Sequence, residues 1–270
     1  MPELPEVETT CREIEPVILN QELNRVIVRQ SQLRWPIPNA LCKLKNVRIK
    51  SVTRRAKYIL IQTTKGTIII HLGMSGILCA LDTPLPPQKH DHVDIIMKNQ
   101  TYLRYTDPRR FGAILWTVEE PLQHKLLINL GPEPFSESFN ANYLFCIAKE
   151  KKIMVKKFIM DQSVVVGIGN IYANEALFMA KILPSRLSNS LTEVECQRLI
   201  KEIGNILKKA ILKGGTTLRN FLSPNGKPGY FIQELFVYGR EGEECKHCDH
   251  ILEGVRINQR ATVFCPKCQQ

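Results

Sequence analysis

Two residues separate Cys245 from Cys248 and Cys265 from Cys268, and sixteen residues lie between the pairs. Four thiolates at this spacing give a zinc ion a closed tetrahedral shell with no open position for a catalytic water, so the metal implied is one structural Zn2+. The intervening stretch Val255 to Phe264 reads as a hairpin with Arg260 near its bend. At the other end of the chain, Met1 precedes Pro2, a small residue after which an initiator methionine is trimmed. Trimming leaves a secondary amine, and a free α-amino group titrates at about 7.7–8.0, so much of it is unprotonated at neutral pH. Such an amine attacks a sugar or carbonyl carbon and forms an iminium, as Schiff-base lysines do. Glu3 and Glu6 stand beside it as acid–base partners. Acids near the start of a helix also favour its dipole, so these residue types alone leave both readings open.

Charge adds a partner. The chain has 270 residues and a net charge of +11, and both halves are basic. Between Arg25 and Lys65 there are eleven basic residues and no acid. A solvated face mixes both signs, so a one-sign stretch of this length points to a polyanion, with nucleic acid ahead of an anionic lipid surface. Hydrophobic residues make up 44 % and charged residues 23 %, which excludes disordered and fibrous classes. No apolar run approaches the roughly 18 residues a membrane helix needs; the stretch Thr67 to Leu81 is broken by His71, Gly73, Ser75 and Gly76. The first 24 residues carry six acids against Arg12, the reverse of a secretory leader. The expected compartment is a reducing cytoplasm, where the cysteines are free or metal-bound. Cys11, Cys42, Cys79, Cys146 and Cys196 have no ligand spacing and are expected to be small core hydrophobes.

The elements that position these groups follow from periodicity. Pro5 to Leu19 reads as an amphipathic helix, with Val7, Cys11, Ile14 and Ile18 at helical spacing. From Arg25 to about Val118 the period is that of strands. Tyr58–Ile61 and Thr67–Ile70 flank a turn at Thr64-Lys65-Gly66, and Val93–Met97, Tyr102–Tyr105 and Ala113–Val118 continue the pattern. An all-β sandwich or barrel is expected there, followed by a linker at Gly131-Pro-Glu-Pro134. Helices are predicted over Asn142–Glu150, Asn170–Lys181 and Thr192–Lys213, the last opened by a Thr192/Glu195 capping box and a Leu191/Cys196 staple. Gly214 to Gly229 is a long polar loop, a length that suits a functional lid or a disordered segment.

Whole strings then narrow the reading. Met1-Pro-Glu-Leu-Pro-Glu-Val-Glu-Thr9, Arg54-Arg-Ala-Lys-Tyr58, His71-Leu-Gly-Met-Ser-Gly76, Lys89-His-Asp-His92, Tyr105-Thr-Asp-Pro-Arg-Arg-Phe-Gly112, Gly167-Ile-Gly-Asn-Ile-Tyr172 and the four-cysteine tail occur in one order. Together they resemble the bacterial formamidopyrimidine-DNA glycosylases, base-excision enzymes for oxidised purines, from residue 2 to the last cysteine. The resemblance implies an α+β multidomain chain. It comprises a catalytic β-sandwich with a leading helix over residues 1–130, a helix–two-turn–helix DNA-binding domain over 131–235, and a zinc-ribbon hairpin over 236–270. Damaged double-stranded DNA would lie across a basic cleft, bound by a monomer.

By the same resemblance, the chain is both a glycosylase and an abasic-site lyase. Pro2 attacks C1′ of the damaged nucleotide, Glu3 moves the proton that opens the sugar, and Glu6 supports the site. Lys57 serves β-elimination, and Arg260 serves δ-elimination and phosphate binding. A base inside a duplex must be extruded before it is cut, and something must fill the hole. Met74, Arg109 and Phe111 match the family's inserted triad of apolar wedges and an arginine for the orphaned cytosine. By residue type alone, Met74 and Phe111 suit a core and Arg109 a surface ion pair. Asn170 at a helix start, with His90, Lys151 and Tyr238, matches DNA-backbone contacts, and Lys156 a lysine near the base pocket. His71 and His92 are equally readable as structural histidines. Family members often have proline where this chain has Lys157. The loop Gly214 to Gly229 resembles the flap over a flipped oxidised purine. The related endonuclease VIII branch, which prefers oxidised pyrimidines, shares the residues matching Pro2, Glu3 and the zinc finger but has glycine where this chain has Leu4. A non-catalytic zinc DNA-binding module is the third reading, and it would need the Pro2 amine to be blocked.

Overall fold

A computed structural model of the chain describes residues 1–83, 85–216 and 231–270. These fall into two units, Met1–Ile128 with Lys213–Ile232, and Asn129–Leu212 with Gln233–Gln270. Most of the loop expected over Gly214 to Gly229 lies outside the described residues.

The first unit opens with α1 (Leu4–Ile18), where Glu3 is the N-cap and Pro5 sits in the first turn, whose amide hydrogens need no partner within the helix. Its stripe of Val7, Cys11, Ile14 and Ile18 is buried. The strands follow as β1 (Glu22–Val28), then, after the short helix α2 (Asn39–Cys42), β2 (Val47–Arg55), β3 (Tyr58–Thr63), β4 (Thr67–His71), β5 (Ile77–Leu81), β6 (Asp91–Met97), β7 (Tyr102–Thr106) and β8 (Ala113–Thr117). Their order is β5-β7-β6-β1-β2-β3-β4-β8, with antiparallel ladders throughout. Between β1 and β2 only Glu22↔Arg48 and Leu23↔Val47 pair, so the sheet folds over at that seam into a sandwich. Alternate residues (Ile59 and Ile61, Ile68 and Ile70, Val93 and Ile95) point into one core that also receives the face of α1. The predicted β3–β4 hairpin is present. Strands β1, β2 and β5 are additions to the five named segments; β1 and β2 fall mostly within the stretch of strand period, and β5 is short and lies beside Gly73 and Gly76.

The second unit holds α3 (Ala141–Glu150), α4 (Val155–Ile159), α5 (Asn170–Met179), α6 (Glu193–Leu212) and the hairpin β9 (Glu253–Ile257) and β10 (Arg260–Phe264). The capping box that opens α6 is made as expected: the Glu195 N–H donates to Thr192 Oγ1 at 3.2 Å and the Thr192 N–H donates back to Glu195 Oε2 at 2.9 Å. Helix α5 is buried from Ile171 to Phe178, the mark of a central helix packed on all sides. The β9–β10 bend is the pair Asn258-Gln259, both at positive φ (50° and 59°), the conformation of a two-residue hairpin turn.

One expectation fails. Of the five cysteines outside the zinc set, Cys11 and Cys196 are buried, Cys79 is half-buried, and Cys42 and Cys146 are exposed. Cys42 ends a four-residue helix and Cys146 lies on the outer face of α3, whose buried residues are Leu144 and Ala148. Residue type predicts burial only where the element also offers an inward face.

Candidate functional site

At the start of α1, Pro2, Glu3 and Glu6 are all buried. The Glu3 N–H donates to Glu6 Oε2 at 2.8 Å, and Glu6 Oε1 accepts the Thr216 N–H at 2.8 Å. One carboxylate thus ties the helix N-terminus to the root of the long loop. Gly215, at φ +82°, passes so close that a Cβ there would meet Glu6 Oε1 at 2.9 Å. Pro2 is linked through its nitrogen to Met1, so nucleophilic use of that atom requires removal of Met1.

Lys57 occupies the tight turn between β2 and β3, where Arg55 pairs with Tyr58 and Ala56 is held at φ +53°. A non-glycine residue in the left-handed region costs roughly 1–2 kcal/mol and must be held by its surroundings. Arg54 does this. Its Nη1 donates to Ala56 O at 2.9 Å and its Nε to Glu8 Oε2 at 3.0 Å, so the Lys57 turn is tied to α1 as well. Lys57 itself is only 8 % exposed. Next to it, burial, reinforced by the charges of Lys57 and Arg34, lowers His71 to about 4. A neutral His71 accepts the Gly73 N–H at Nδ1, 3.0 Å away.

Gly73 and the following Met74 and Ser75 form the β4–β5 loop, which meets the 107–112 loop closely. A Cβ on Gly73 would fall 2.4 Å from the Gly112 nitrogen. Met74 is half-buried, Arg109 is exposed, and Phe111 is 48 % exposed although it is a large apolar side chain. The Arg109 guanidinium lies 4.8 Å above the Phe111 ring. Among the described residues, then, Phe111 is not core and Arg109 rests on a ring rather than on a carboxylate. His90 is half-buried, and its carbonyl accepts the Asp107 N–H at 3.1 Å.

In the second unit, Lys156 on α4 is 1 % exposed. Its ammonium donates to Ala261 O at 2.8 Å and to Thr262 Oγ1 at 2.7 Å. Asn170 Nδ2 donates to the same carbonyl at 3.1 Å, and Asn174 Oδ1 accepts the Val263 N–H at 2.9 Å. These three side chains grip β10 next to Arg260, which is exposed at the rim of a pocket of about 330 Å³ shared with Lys157, Met160 and Asp161. Lys151 pairs with Asp161 at 3.2 Å. Tyr238 sits on a segment fixed by Glu175, whose carboxylate accepts the N–H groups of Phe236, Val237 and Tyr238 at 2.8, 3.0 and 2.8 Å. Burial pushes the Glu175 carboxyl upward against the pull of those bonds.

The sulfurs of Cys245, Cys248, Cys265 and Cys268 all lie within 4.8 Å of one another. Bond lengths of about 2.3 Å in a tetrahedral Zn–S4 shell put neighbouring sulfurs about 3.8 Å apart. The contacts of 4.0 Å (Cys245 to Cys268), 3.5 Å (Cys248 to Cys265) and 3.4 Å (Cys248 to Cys268) fit that shell. Phe178 stacks on Phe236, His247 meets both rings at a tilt, with ring centroids 4.9 to 5.6 Å apart, and the two phenylalanines share an apolar cluster with the cysteines.

Comparison with known proteins matches three family models in order: the formamidopyrimidine-DNA glycosylase N-terminal domain over residues 1–114, the H2TH domain of the same enzymes over 130–221, and the zinc finger found in FPG and IleRS over 242–270. The chain belongs to the formamidopyrimidine-DNA glycosylase family. It is 55 % identical over 271 residues to the formamidopyrimidine-DNA glycosylase of Stutzerimonas stutzeri and 52 % identical over 269 residues to that of Proteus mirabilis, covering 100 % and 98 % of those proteins. The crystal structure of MutM (Fpg) from Thermus thermophilus superposes with a TM-score of 0.89 at 38 % identity, covering 99 % of this chain and 98 % of that one. The complex of the Lactococcus lactis FPG mutant G226P with Fapy-dG-containing DNA superposes at 0.92 with 32 % identity and full coverage of both chains. The family's sandwich, H2TH helices and single structural zinc are the fold described above. Among the described residues no helix is long and apolar enough to cross a membrane.

Three groups that organise this glycosylase fold escape a reading of the sequence: Arg54 behind Lys57, Asp107 behind the paired loops, and Glu175 behind Tyr238. Arg54 and Asp107 lie inside strings that carry the resemblance, but nothing in their type or spacing marks a buried hub.

Proposed function

We propose that this chain, a DNA glycosylase of base excision repair by its family, removes oxidised purines (8-oxoguanine and formamidopyrimidines) from duplex DNA and then cuts the strand. The freed Pro2 nitrogen attacks C1′, the damaged base departs with the glycosidic electron pair, and Glu3 protonates the ring oxygen as the sugar opens to an iminium. Loss of a C2′ proton expels the 3′ phosphate, and a second elimination expels the 5′ phosphate. Lys57 assists the first step and Arg260 the second, and hydrolysis of the iminium returns the amine. Met74 and Phe111 enter the space of the extruded nucleotide while Arg109 hydrogen-bonds the unpaired cytosine. His90, Lys151, Asn170 and Tyr238 hold the phosphate backbone, and Lys156 serves the base pocket from behind the hairpin. The zinc, held by the four cysteines, stiffens the hairpin that carries Arg260 and takes no part in the chemistry. The enzyme works as a monomer on nucleoid DNA in the cytoplasm.

The observation that carries this reading is the burial of Pro2, Glu3 and Glu6 together at one helix start, in a chain similar along its whole length to formamidopyrimidine-DNA glycosylases. Crystallised Lactococcus lactis relatives hold Fapy-dG and abasic-site DNA. Borohydride trapping tests it: protein of verified N-terminus is reduced on a duplex carrying 8-oxoguanine opposite cytosine, and the adduct is mapped by peptide mass spectrometry. The expected adduct is on Pro2. An adduct formed only with oxidised pyrimidines would reassign the substrate. No adduct on any lesion or abasic site, with Met1 removed, would leave a DNA-binding protein without the chemistry.

A further inference from the structure

Asp107 is fully buried, with 0 % exposure, and the bonds to its carboxylate come from neutral donors. Oδ1 accepts the Ser75 hydroxyl at 2.7 Å and the Arg109 N–H at 3.3 Å. Oδ2 accepts the Gly112 N–H at 2.9 Å and the Tyr105 hydroxyl at 3.1 Å. Ser75 Oγ in turn accepts the Arg109 N–H at 3.2 Å. The backbone of Asp107 is fixed as well, its N–H donating to His90 O at 3.1 Å and its carbonyl lying 2.8 Å from His92 Nε2. Burial and the Asp107 charge push the Tyr105 phenol upward, so it stays a donor.

A buried carboxylate costs several kcal/mol without compensation, so its retention calls for four good donors and a reason. The donors map onto the surface. Ser75 follows Met74, Gly112 follows Phe111, and Arg109 donates its own N–H. The side chains of Met74, Arg109 and Phe111 are half-buried or exposed, while one carboxylate holds the Ser75 hydroxyl next to Met74 and the backbone N–H groups of Arg109 and of Gly112 next to Phe111. Gly73 and Gly112 allow the two loops to approach within what a Cβ would forbid.

We propose that Asp107 is a positioning residue: its carboxylate sets the spacing of the two loops that carry Met74 on one side and Arg109 and Phe111 on the other, and so governs base extrusion and reading of the opposite base. This rests on the proposed entry of those three side chains into DNA. Pre-organisation matters here because a wedge that must be ordered during binding loses part of its contact energy to that ordering, and a misplacement of 1 Å costs about 10²-fold in rate.

Asp107→Asn keeps the shape but replaces an acceptor by an NH2 group. The NH2 can take either carboxylate position, facing the N–H of Gly112 in one and that of Arg109 in the other. The hydroxyl of Tyr105 or Ser75 can turn to accept, whereas a backbone N–H cannot, so the 107–112 loop loses one of its two backbone bonds to this side chain. The test compares two substrates on the same protein: excision of 8-oxoguanine opposite cytosine, and strand cleavage at a preformed abasic site, which has no base to extrude. For Asp107→Asn, kcat/KM on 8-oxoguanine is expected to fall about 10²-fold while abasic cleavage stays within about threefold, and discrimination between cytosine and adenine opposite the lesion narrows. Ser75→Ala, which keeps the carboxylate and removes the hydroxyl's bonds to it and to the Arg109 N–H, is expected to lose about tenfold with the same selectivity for the base-bearing substrate. Should Asp107→Asn fail to fold, Ser75→Ala decides by that ratio. Equal losses on both substrates, or none on either, overturn the proposal. Arg109→Ala and Phe111→Ala probe the underlying reading separately. If they leave excision intact the loops do not enter DNA; if they abolish it while Asp107→Asn does not, only the role of Asp107 falls.

Discussion

Each unit presents an exposed arginine to solvent, and the two are held by different means. Arg109 stands on a loop whose backbone is pinned by a buried carboxylate, at the edge of a sandwich with an extensive apolar core. Arg260 stands at the start of a five-residue strand in a two-stranded hairpin, which by itself is marginal in water. The hairpin is held from one side by the four-thiolate cluster and from the other by Lys156, Asn170 and Asn174. Where a core already exists, hydrogen bonds suffice to fix a loop. Where the apolar cluster is small, as around Phe178, Val237, Leu252 and Val263, a metal adds to it, and a lysine is buried to complete the grip.

The largest expected effect separates the two supports. Structural zinc contributes about 10–16 kcal/mol to folding in small zinc modules. Chelation, or Cys265→Ser, is therefore expected to abolish strand cleavage and to unfold the hairpin while the sandwich remains. Near-ultraviolet circular dichroism with a zinc-release assay would check this, and loss of the sandwich signal along with the hairpin would erase the distinction between the units.

Acid is expected to act on the other side. His71, at the root of the Met74 loop, is lowered to about 4 in the fold by burial and by the charges of Lys57 and Arg34. An unfolded histidine titrates near 6.5, so between about 4 and 6.5 the unfolded chain binds the extra proton and stability falls as pH falls. The contribution is full above about 6.5, and the loss down to pH 4 amounts to about 3 kcal/mol. Melting temperature followed across that window should show the slope, and His71→Asn should flatten it. Glu195 behaves alike in sign but in a lower window: the Arg186 hydrogen bonds hold it down to about 2, so what it contributes is lost only as pH falls below the ordinary carboxylate range.

The smallest expected effect tests the buried lysine. Lys156→Met keeps the apolar stem and removes the donor, leaving Ala261 O to Asn170, at a cost of about 1–3 kcal/mol. If the grip on β10 positions Arg260, the product pattern should shift from δ- toward β-elimination, over and above any loss of base excision. Gel analysis of the strand ends distinguishes this from a uniform loss of activity, which would place Lys156 in folding alone.

Much of this is legible from residue order. The stripe in α1, the Thr192/Glu195 box, the β3–β4 hairpin and the Cys245–Cys268 spacing each use local rules, in which partners sit three or four residues apart or across a short turn. What is not legible needs partners far apart in the chain. Asp107 meets Ser75 across 32 positions, Glu175 meets Tyr238 across 63, and Lys156 meets Thr262 across 106. A lysine or aspartate is by default exposed, so composition argues against burying any of them. The exposure of Cys42 and Cys146 is the converse case, in which a residue type suited to a core falls on elements that offer it none.

The amino-acid sequence by itself determined the chemistry on offer: an amine at Pro2 with two acids beside it, four thiolates in zinc spacing, and a basic chain suited to a polyanion. Only the tertiary structure decided which groups hold the others still. Its burial of Glu6, Asp107, Lys156 and Glu175 removes each from water, and a polar group so removed is stable only where the fold supplies its hydrogen bonds.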